Sequence, residues 1–204
     1  DTLCTVDEVG DALAIGAAHG TRLHVTHVFN VQRFHHRECG LANIAVLPAL
    51  PKMEGLKDAL PPTVEVIGDG VHVSPLVLKL VTSCKPFGSA CFITDGIAEP
   101  DTSVHMVYAE RKAFVQSKGG QLAVYSTSAD NGKEVLIGSC AMMLDAFKMA
   151  LNVLGLSLNR AVDMCSCTPA CIGNLSHIGN LRCGQRADVV LLSSKLQVQH
   201  VLVG

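Results

Sequence analysis

Apolar and polar positions recur along the chain in two rhythms, one of three to four residues and one of two, and together they predict helices and strands in turn. In residues 7–19, Val9, Leu13 and Ala17 share one face and Gly20 closes the segment, as in an amphipathic helix with a Thr or Asp cap before it. Residues 22–27 form a short β-rich run, and 34–40 are polar and charged enough to be a loop. The helical signal over 41–59 is interrupted by Pro48 and Pro51, which predicts two short helical pieces. A strand over 63–67 leads into Gly68-Asp69-Gly70-Val71-His72, Pro75 opens a helix to Thr82, and a third strand over 90–94 ends at Asp95. This strand, loop, helix, strand order favours a parallel sheet covered by helices.

Beyond Asp95 the rhythm changes. Residues 106–124 have the period-two look of β structure with a Gly119-Gly120 turn, a candidate β excursion near 104–125. Helical patterns return over 141–154 and 158–167, and the tail predicts two strands, 187–192 and 198–203, joined by a polar turn. The expected division is an α/β unit over 1–170 and a small β domain over 171–204.

Three strands end in side chains that carry chemistry: His27, His72 and Asp95. In a (β/α)8 barrel the reaction centre lies at the carboxyl ends of the strands, so polar residues there read as catalytic or ligating. The 204 residues fall short of the roughly 250 of a full barrel. The chain starts at Asp1, which reads as an internal position, so either the fold is smaller or an N-terminal part is absent.

Composition narrows the classes. A formal charge of −2 with Lys and Arg scattered along the chain offers no basic stripe for nucleic acid. Lys, Asp, Gly or Pro interrupts every apolar stretch before the roughly 20 residues of a membrane span. Nine cysteines, an odd number spread through strand-like and helix-like runs, point to reduced thiols and a cytoplasmic setting. Cys165-Ser166-Cys167 with Cys171 lacks paired-knuckle zinc spacing and falls at a predicted helix end, where small buried side chains are the simpler explanation.

The motifs resemble those of the N-acetylglucosamine-6-phosphate deacetylases of the amidohydrolase superfamily. The family's Thr-His-Leu-Phe-Asn is matched by Thr26-His27-Val28-Phe29-Asn30, and its His-His-Arg-Glu-Pro-Gly by His35-His36-Arg37-Glu38-Cys39-Gly40. Its Ala-Asp-Gly-x-His is matched by Gly68-Asp69-Gly70-Val71-His72, and its Val-Thr-Asp-Ala by Ile93-Thr94-Asp95-Gly96. Ile137-Gly138-Ser139-Cys140-Ala141-Met142-Met143 stands where the family has Ala-Gly-Ser-x-Leu-Thr-Met, and residues 179–188 resemble the superfamily's closing strand motif.

The resemblance implies a partial (β/α)8 TIM barrel of the metal-dependent amidohydrolase type with part of a small β-sandwich domain. It implies His27 as a ligand to a divalent metal ion, zinc first and iron or another transition metal next. Asp95 is implied as the carboxylate that takes a proton from metal-activated water and passes it to the leaving amine. His72, Asn30 and Arg37 are implied as contacts to a phosphorylated amino-sugar substrate, Arg37 as a planar fork for the phosphate. The reaction implied is hydrolysis of the acetamide of N-acetylglucosamine 6-phosphate to glucosamine 6-phosphate and acetate. A homodimer is implied, with Arg37 reaching across its interface. The family's other ligands, a third-strand Glu and a fifth-strand His, precede the stretch matched here, and Glu99 and Asp101 replace its Pro-Ala-Gly.

Each assignment has a plainer competitor. A strand-end His is commonly structural, Thr94-Asp95-Gly96 suits a turn, Asp-Gly-x-His suits a tight turn, His35 and His36 suit a loop surface, and His24 alternates away from the pocket toward the helices. One imidazole and one carboxylate fall short of the roughly three protein ligands of a catalytic zinc, so 204 residues alone are expected to show little or no deacetylase activity. An open sheet edge and face would need a complementary N-terminal fragment or a second copy as cover. Two alternatives stand beside the deacetylase: an amidohydrolase for another N-acyl amino sugar or a cyclic amide, and a noncatalytic partner subunit.

Overall fold

The computed structural model describes residues 3–52, 59–108, 110–118, 121–127 and 132–204. The Gly119-Gly120 turn and the second helical piece expected before Ala59 lie outside the described residues. Helix α1 (Val6–Ala18) opens on a reciprocal cap: Thr5 Oγ1 accepts from the Glu8 N–H at 3.3 Å while Glu8 Oε2 accepts from the Thr5 N–H at 2.8 Å. Strand β1 is only His24–Val25, and α2 (Leu41–Ala45) precedes β2 (Thr63–Ile67), α3 (Pro75–Cys84) and β3 (Ala90–Ile93). These three strands form a parallel sheet in sequence order.

Alternation along the strands decides what each face does. Val25, Val64, Val66, Ala90 and Phe92 point into one apolar core with Leu78 and Val81 of α3. Ala146, Met149 and Met164 close it from the later helices. His24, Thr63 and Glu65 take the opposite face. His24 Nδ1 lies 2.8 Å from Thr63 Oγ1, and its Nε2 is 3.1 Å from Glu65 Oε1 without hydrogen-bond alignment. The expectation that His24 turns toward the helices is therefore corrected, because Val25 occupies that side.

Two buried cations fasten the approach to β3. Lys85 Nζ donates to the carbonyls of Ala45, Leu47 and Pro62 at 3.0, 3.2 and 2.7 Å. Arg160 donates to the carbonyls of Lys85 and Pro86 and to Asp163 Oδ2, with its guanidinium 4.8 Å from the Phe87 ring centroid. Burial lowers the pKa of both, and Arg22 adds to the effect at Lys85.

Four antiparallel strands follow: β4 (His105–Tyr108), β5 (Arg111–Lys118), β6 (Gln121–Thr127) and β7 (Glu134–Ser139). The sheet thus runs well past the period-two stretch that marks it in the sequence. It docks on the end of β3 through a bridge between Gly96 and Ser139. Helix α4 (Met143–Lys148) widens into a π-helical turn, Met149–Val153.

A last helical run begins at α5 (Leu158–Val162), passes through a second π-helical turn, Asp163–Cys167, and ends in α6 (Thr168–Ile172). It continues beyond the end expected at residue 167. Pro169 lacks an N–H for the preceding turn, and the helix accommodates this by widening there rather than stopping. The cysteine cluster consequently sits inside a helix. Burial pushes the Cys165 thiol up to about 12.

The chain closes with a two-stranded hairpin, β8 (Val189–Leu192) and β9 (Val198–Leu202). No helix among the described residues is long and apolar enough to cross a membrane.

Candidate active site

His27 does not extend β1 but stands in a turn just beyond it. Val25 pairs with Val64, the chain then leaves the ladder, and Val28 returns its N–H to the Glu65 carbonyl at 2.8 Å. His27, Phe29 and Val31 adopt left-handed backbone with φ of 34°, 78° and 61°. Such conformations persist only where the surroundings impose them. Here Gln32 does so: its Oε1 accepts from the Phe29 N–H at 3.2 Å and its Nε2 donates to the Thr26 carbonyl at 3.2 Å. Asn30 belongs to the same turn and donates its N–H to the His27 carbonyl at 2.9 Å. A cavity of about 350 Å³ opens beside His27, lined by Glu8, His24, Thr26 and Gln32 among others. His27 Nδ1 is buried with no hydrogen-bond partner among the described residues.

Arg37 is in the loop that follows. Asn43, in the first turn of α2, closes it by accepting from the N–H groups of His35 and Gly40 and donating to the His35 carbonyl. Phe34 packs edge-on against Phe29, with ring centroids 5.3 Å apart, which ties this loop to the His27 turn. Arg37 is exposed on it, as are His35 and His36.

His72 follows β2 and is held by Asp69. Asp69 Oδ2 lies 2.6 Å from His72 Nδ1, while Oδ1 accepts from the N–H groups of Val71 and His72, each at 2.9 Å. Both side chains are buried, 8% of His72 and 3% of Asp69 remaining exposed. The structure adds Asp69 to the residues singled out from sequence. Its signal was the motif itself, since an aspartate with a histidine three residues on is placed to turn its carboxylate back on both.

Asp95 follows β3 in left-handed backbone with φ of 46°. Ser139 clasps it: the Ser139 N–H donates to the Asp95 carbonyl at 3.1 Å, and the Ile97 N–H donates to the Ser139 carbonyl at 3.0 Å. Gly138 next to it admits no side chain, since a Cβ there would meet Ile97 at 2.4 Å. Beside this clasp, burial and the Asp69 charge raise the pKa of the Cys140 thiol.

His27, His72 and Asp95 thus all follow the carboxyl ends of adjacent parallel strands and lie along one edge of the sheet. Two strand spacings separate the β1 and β3 ends, about 10 Å of backbone. The residues fit one ligand position of a metal site, because the His27 imidazole offers an unpaired buried nitrogen. They do not make up a whole site. Among the described residues no group of three or more His, Cys, Asp or Glu side chains is arranged to hold an ion.

Proteins similar to this chain in sequence and in fold are deacetylases of N-acetylated amino-sugar phosphates. An N-acetylglucosamine-6-phosphate deacetylase from Bacillus subtilis (strain 168) is 27% identical over 194 residues, 94% of this chain and 44% of the relative. The crystal structure of an N-acetylglucosamine-6-phosphate deacetylase from Thermotoga maritima superposes with a TM-score of 0.77 at 25% identity, over 98% of this chain and 49% of that one. A putative N-acetylgalactosamine-6-phosphate deacetylase from Escherichia coli (strain K12) is 30% identical over 182 residues, 87% of this chain and 95% of the relative. The chain belongs to the N-acetylglucosamine-6-phosphate deacetylase family. It spans less than half the length of the Bacillus and Thermotoga family members. It matches nearly all of the Escherichia coli one. No family model matches the chain.

Proposed function

We propose that this chain is the C-terminal portion of a metal-dependent amidohydrolase that cleaves the acetamide of N-acetylglucosamine 6-phosphate. Residues 1–170 would contribute strands and helices to a (β/α)8 barrel and 171–204 to a small β domain. The carrying observation is the shared edge: His27, His72 and Asp95 follow three adjacent parallel strands, and the backbone is left-handed at two of the three. Strained backbone clusters at sites whose surroundings enforce a geometry for a purpose other than packing.

The roles follow from the donors each residue has. His27 would hold the ion through the imidazole nitrogen that lacks a protein partner, together with donors from outside the described residues. A divalent ion so held supplies Lewis acidity and lowers the pKa of bound water toward about 7. Asp95 takes the proton of the attacking water and returns it to the departing amine. Arg37 sits exposed on a loop braced by Asn43, free to offer its planar fork to the sugar phosphate, and Asn30 lines the same turn as His27.

A metal analysis and a deacetylation assay on the chain, alone and together with a complementary N-terminal fragment, each with and without Asp95→Asn, test this reading. Asparagine tolerates left-handed backbone, so the substitution removes the carboxylate without disturbing φ. A loss of about 10²- to 10⁴-fold is expected. Turnover unchanged by Asp95→Asn would overturn it. Activity that appears only when a complementary N-terminal fragment is added would assign the missing ligands to that fragment.

A second substrate is favoured by one observation: a relative matched along 95% of its length is named as a putative N-acetylgalactosamine-6-phosphate deacetylase. Comparing the two epimers in the same assay separates these readings. Replacing Arg37 should weaken phosphorylated sugars far more than unphosphorylated ones, and equal losses would sink the phosphate assignment.

A further inference from the structure

We infer that Asp69 is a positioning residue that locks His72 into the Nδ1–H tautomer, so that the neutral ring presents Nε2 as a hydrogen-bond acceptor at the edge of the sheet. The Asp69 carboxylate has only acceptors to offer. Its Oδ1 is committed to the backbone N–H groups of Val71 and His72, and its Oδ2 lies 2.6 Å from His72 Nδ1. A neutral ring therefore keeps its proton on Nδ1, against the preference of free histidine for Nε2. No described residue hydrogen-bonds Nε2.

The turn that carries the pair is fixed from below. A Cβ on Gly68 would meet Ala146 at 2.7 Å and Phe92 at 2.8 Å. A Cβ on Gly70, where φ is +74°, would meet the Met149 terminal methyl at 2.7 Å. The π-helical turn that starts at Met149 thus packs directly under the Asp69-to-His72 loop. The pair is buried within this packing and is not a surface contact.

The tautomer has a chemical consequence. With the Nδ1 proton committed to Asp69, Nε2 takes a hydrogen bond from a donor, which on an N-acetylated sugar is a hydroxyl or the amide N–H. It donates to a carbonyl oxygen only after gaining a second proton, and the imidazolium charge then faces the Asp69 carboxylate. The contribution to substrate binding rests on the function proposed above, whereas the tautomer does not.

Long-range proton–nitrogen NMR on the full chain with ¹⁵N-labelled histidine reads the tautomer, with the His72 signals identified by their loss in His72→Gln. At a pH where the ring is neutral, the wild type should show Nδ1 protonated. In Asp69→Asn the two backbone donors hold the amide oxygen at the Oδ1 position. The NH₂ group then faces His72, so the proton should move to Nε2. An Nε2–H ring in the wild type would overturn the inference, as would the same tautomer in both proteins. If Asp69→Asn does not fold, the wild-type spectrum alone decides. Adding N-acetylglucosamine 6-phosphate should then shift the His72 Nε2 resonance. An Nδ1–H ring that ignores the sugar phosphate would uphold the role of Asp69 and count against the proposed substrate.

Discussion

The parallel sheet and the C-terminal hairpin are built from nearly the same side chains and meet opposite fates. In β2 Val64 and Val66 are fully buried, whereas in the hairpin Val190 keeps 56% of its surface and Val201 60%. β-branched residues mark both as strands. What separates them is layering: β2 has a strand on each side and helices over its apolar face, whereas the hairpin pairs only with itself. A two-stranded ribbon has little stability of its own; this one touches the core through Leu192 and the turn residue Leu196, and its exposed valines present a surface for association. Composition says where a strand forms, and neighbours say whether it is core.

Substitutions should reproduce this contrast in urea unfolding. Phe92→Ala, in the middle of the core, should cost about 3–5 kcal/mol. Lys85→Met leaves the carbonyls of Ala45, Leu47 and Pro62 without their donor and should cost about 2–3 kcal/mol.

The core also carries a pH signature. Burial, with the Glu65 charge next, pushes the Cys91 thiol up to about 12, so the folded chain holds a proton that the unfolded chain releases near pH 9. That stabilisation is complete below pH 9 and is lost as pH rises toward 12, by up to about 1.4 kcal/mol per unit. Cys91→Ala should reduce the slope of this part of the profile, to which the buried Cys165 thiol also contributes, and an unchanged slope would show that the Cys91 thiol is not desolvated. Val190→Thr in the hairpin should shift stability by less than about 0.5 kcal/mol. A loss there comparable to that of Phe92→Ala would mean that the hairpin is packed after all, and the contrast would fail.

What could be read from the sequence was local. The strand at Thr63–Ile67 and the helix opened by Pro75 stand where their patterns put them, because period and cap are properties of a few neighbouring residues. The first strand proved shorter than its β-rich run, since the left-handed residues from His27 to Val31 depend on Gln32 folding back over them. The helix past residue 167 was missed because the widened turn that carries it on through Pro169 is a tertiary outcome.

At the site, His27, His72 and Asp95 were visible as polar strand ends. Asp69 was passed over, although the Asp-Gly-x-His spacing of a quoted motif carried its signal, because the strand-end pattern marks only the histidine. Ser139 was in the same position: its grip on Asp95 joins residues more than forty apart, a distance no local pattern spans.

The pinning of His27 has a thermodynamic consequence. With the Val28 N–H anchored to Glu65 on one side and Gln32 bracing the other, the backbone that carries His27 gives up its conformational freedom when the chain folds. Preorganisation of this kind tightens association without adding a contact. Under the role proposed for His27, that entropy would already be spent before an ion binds.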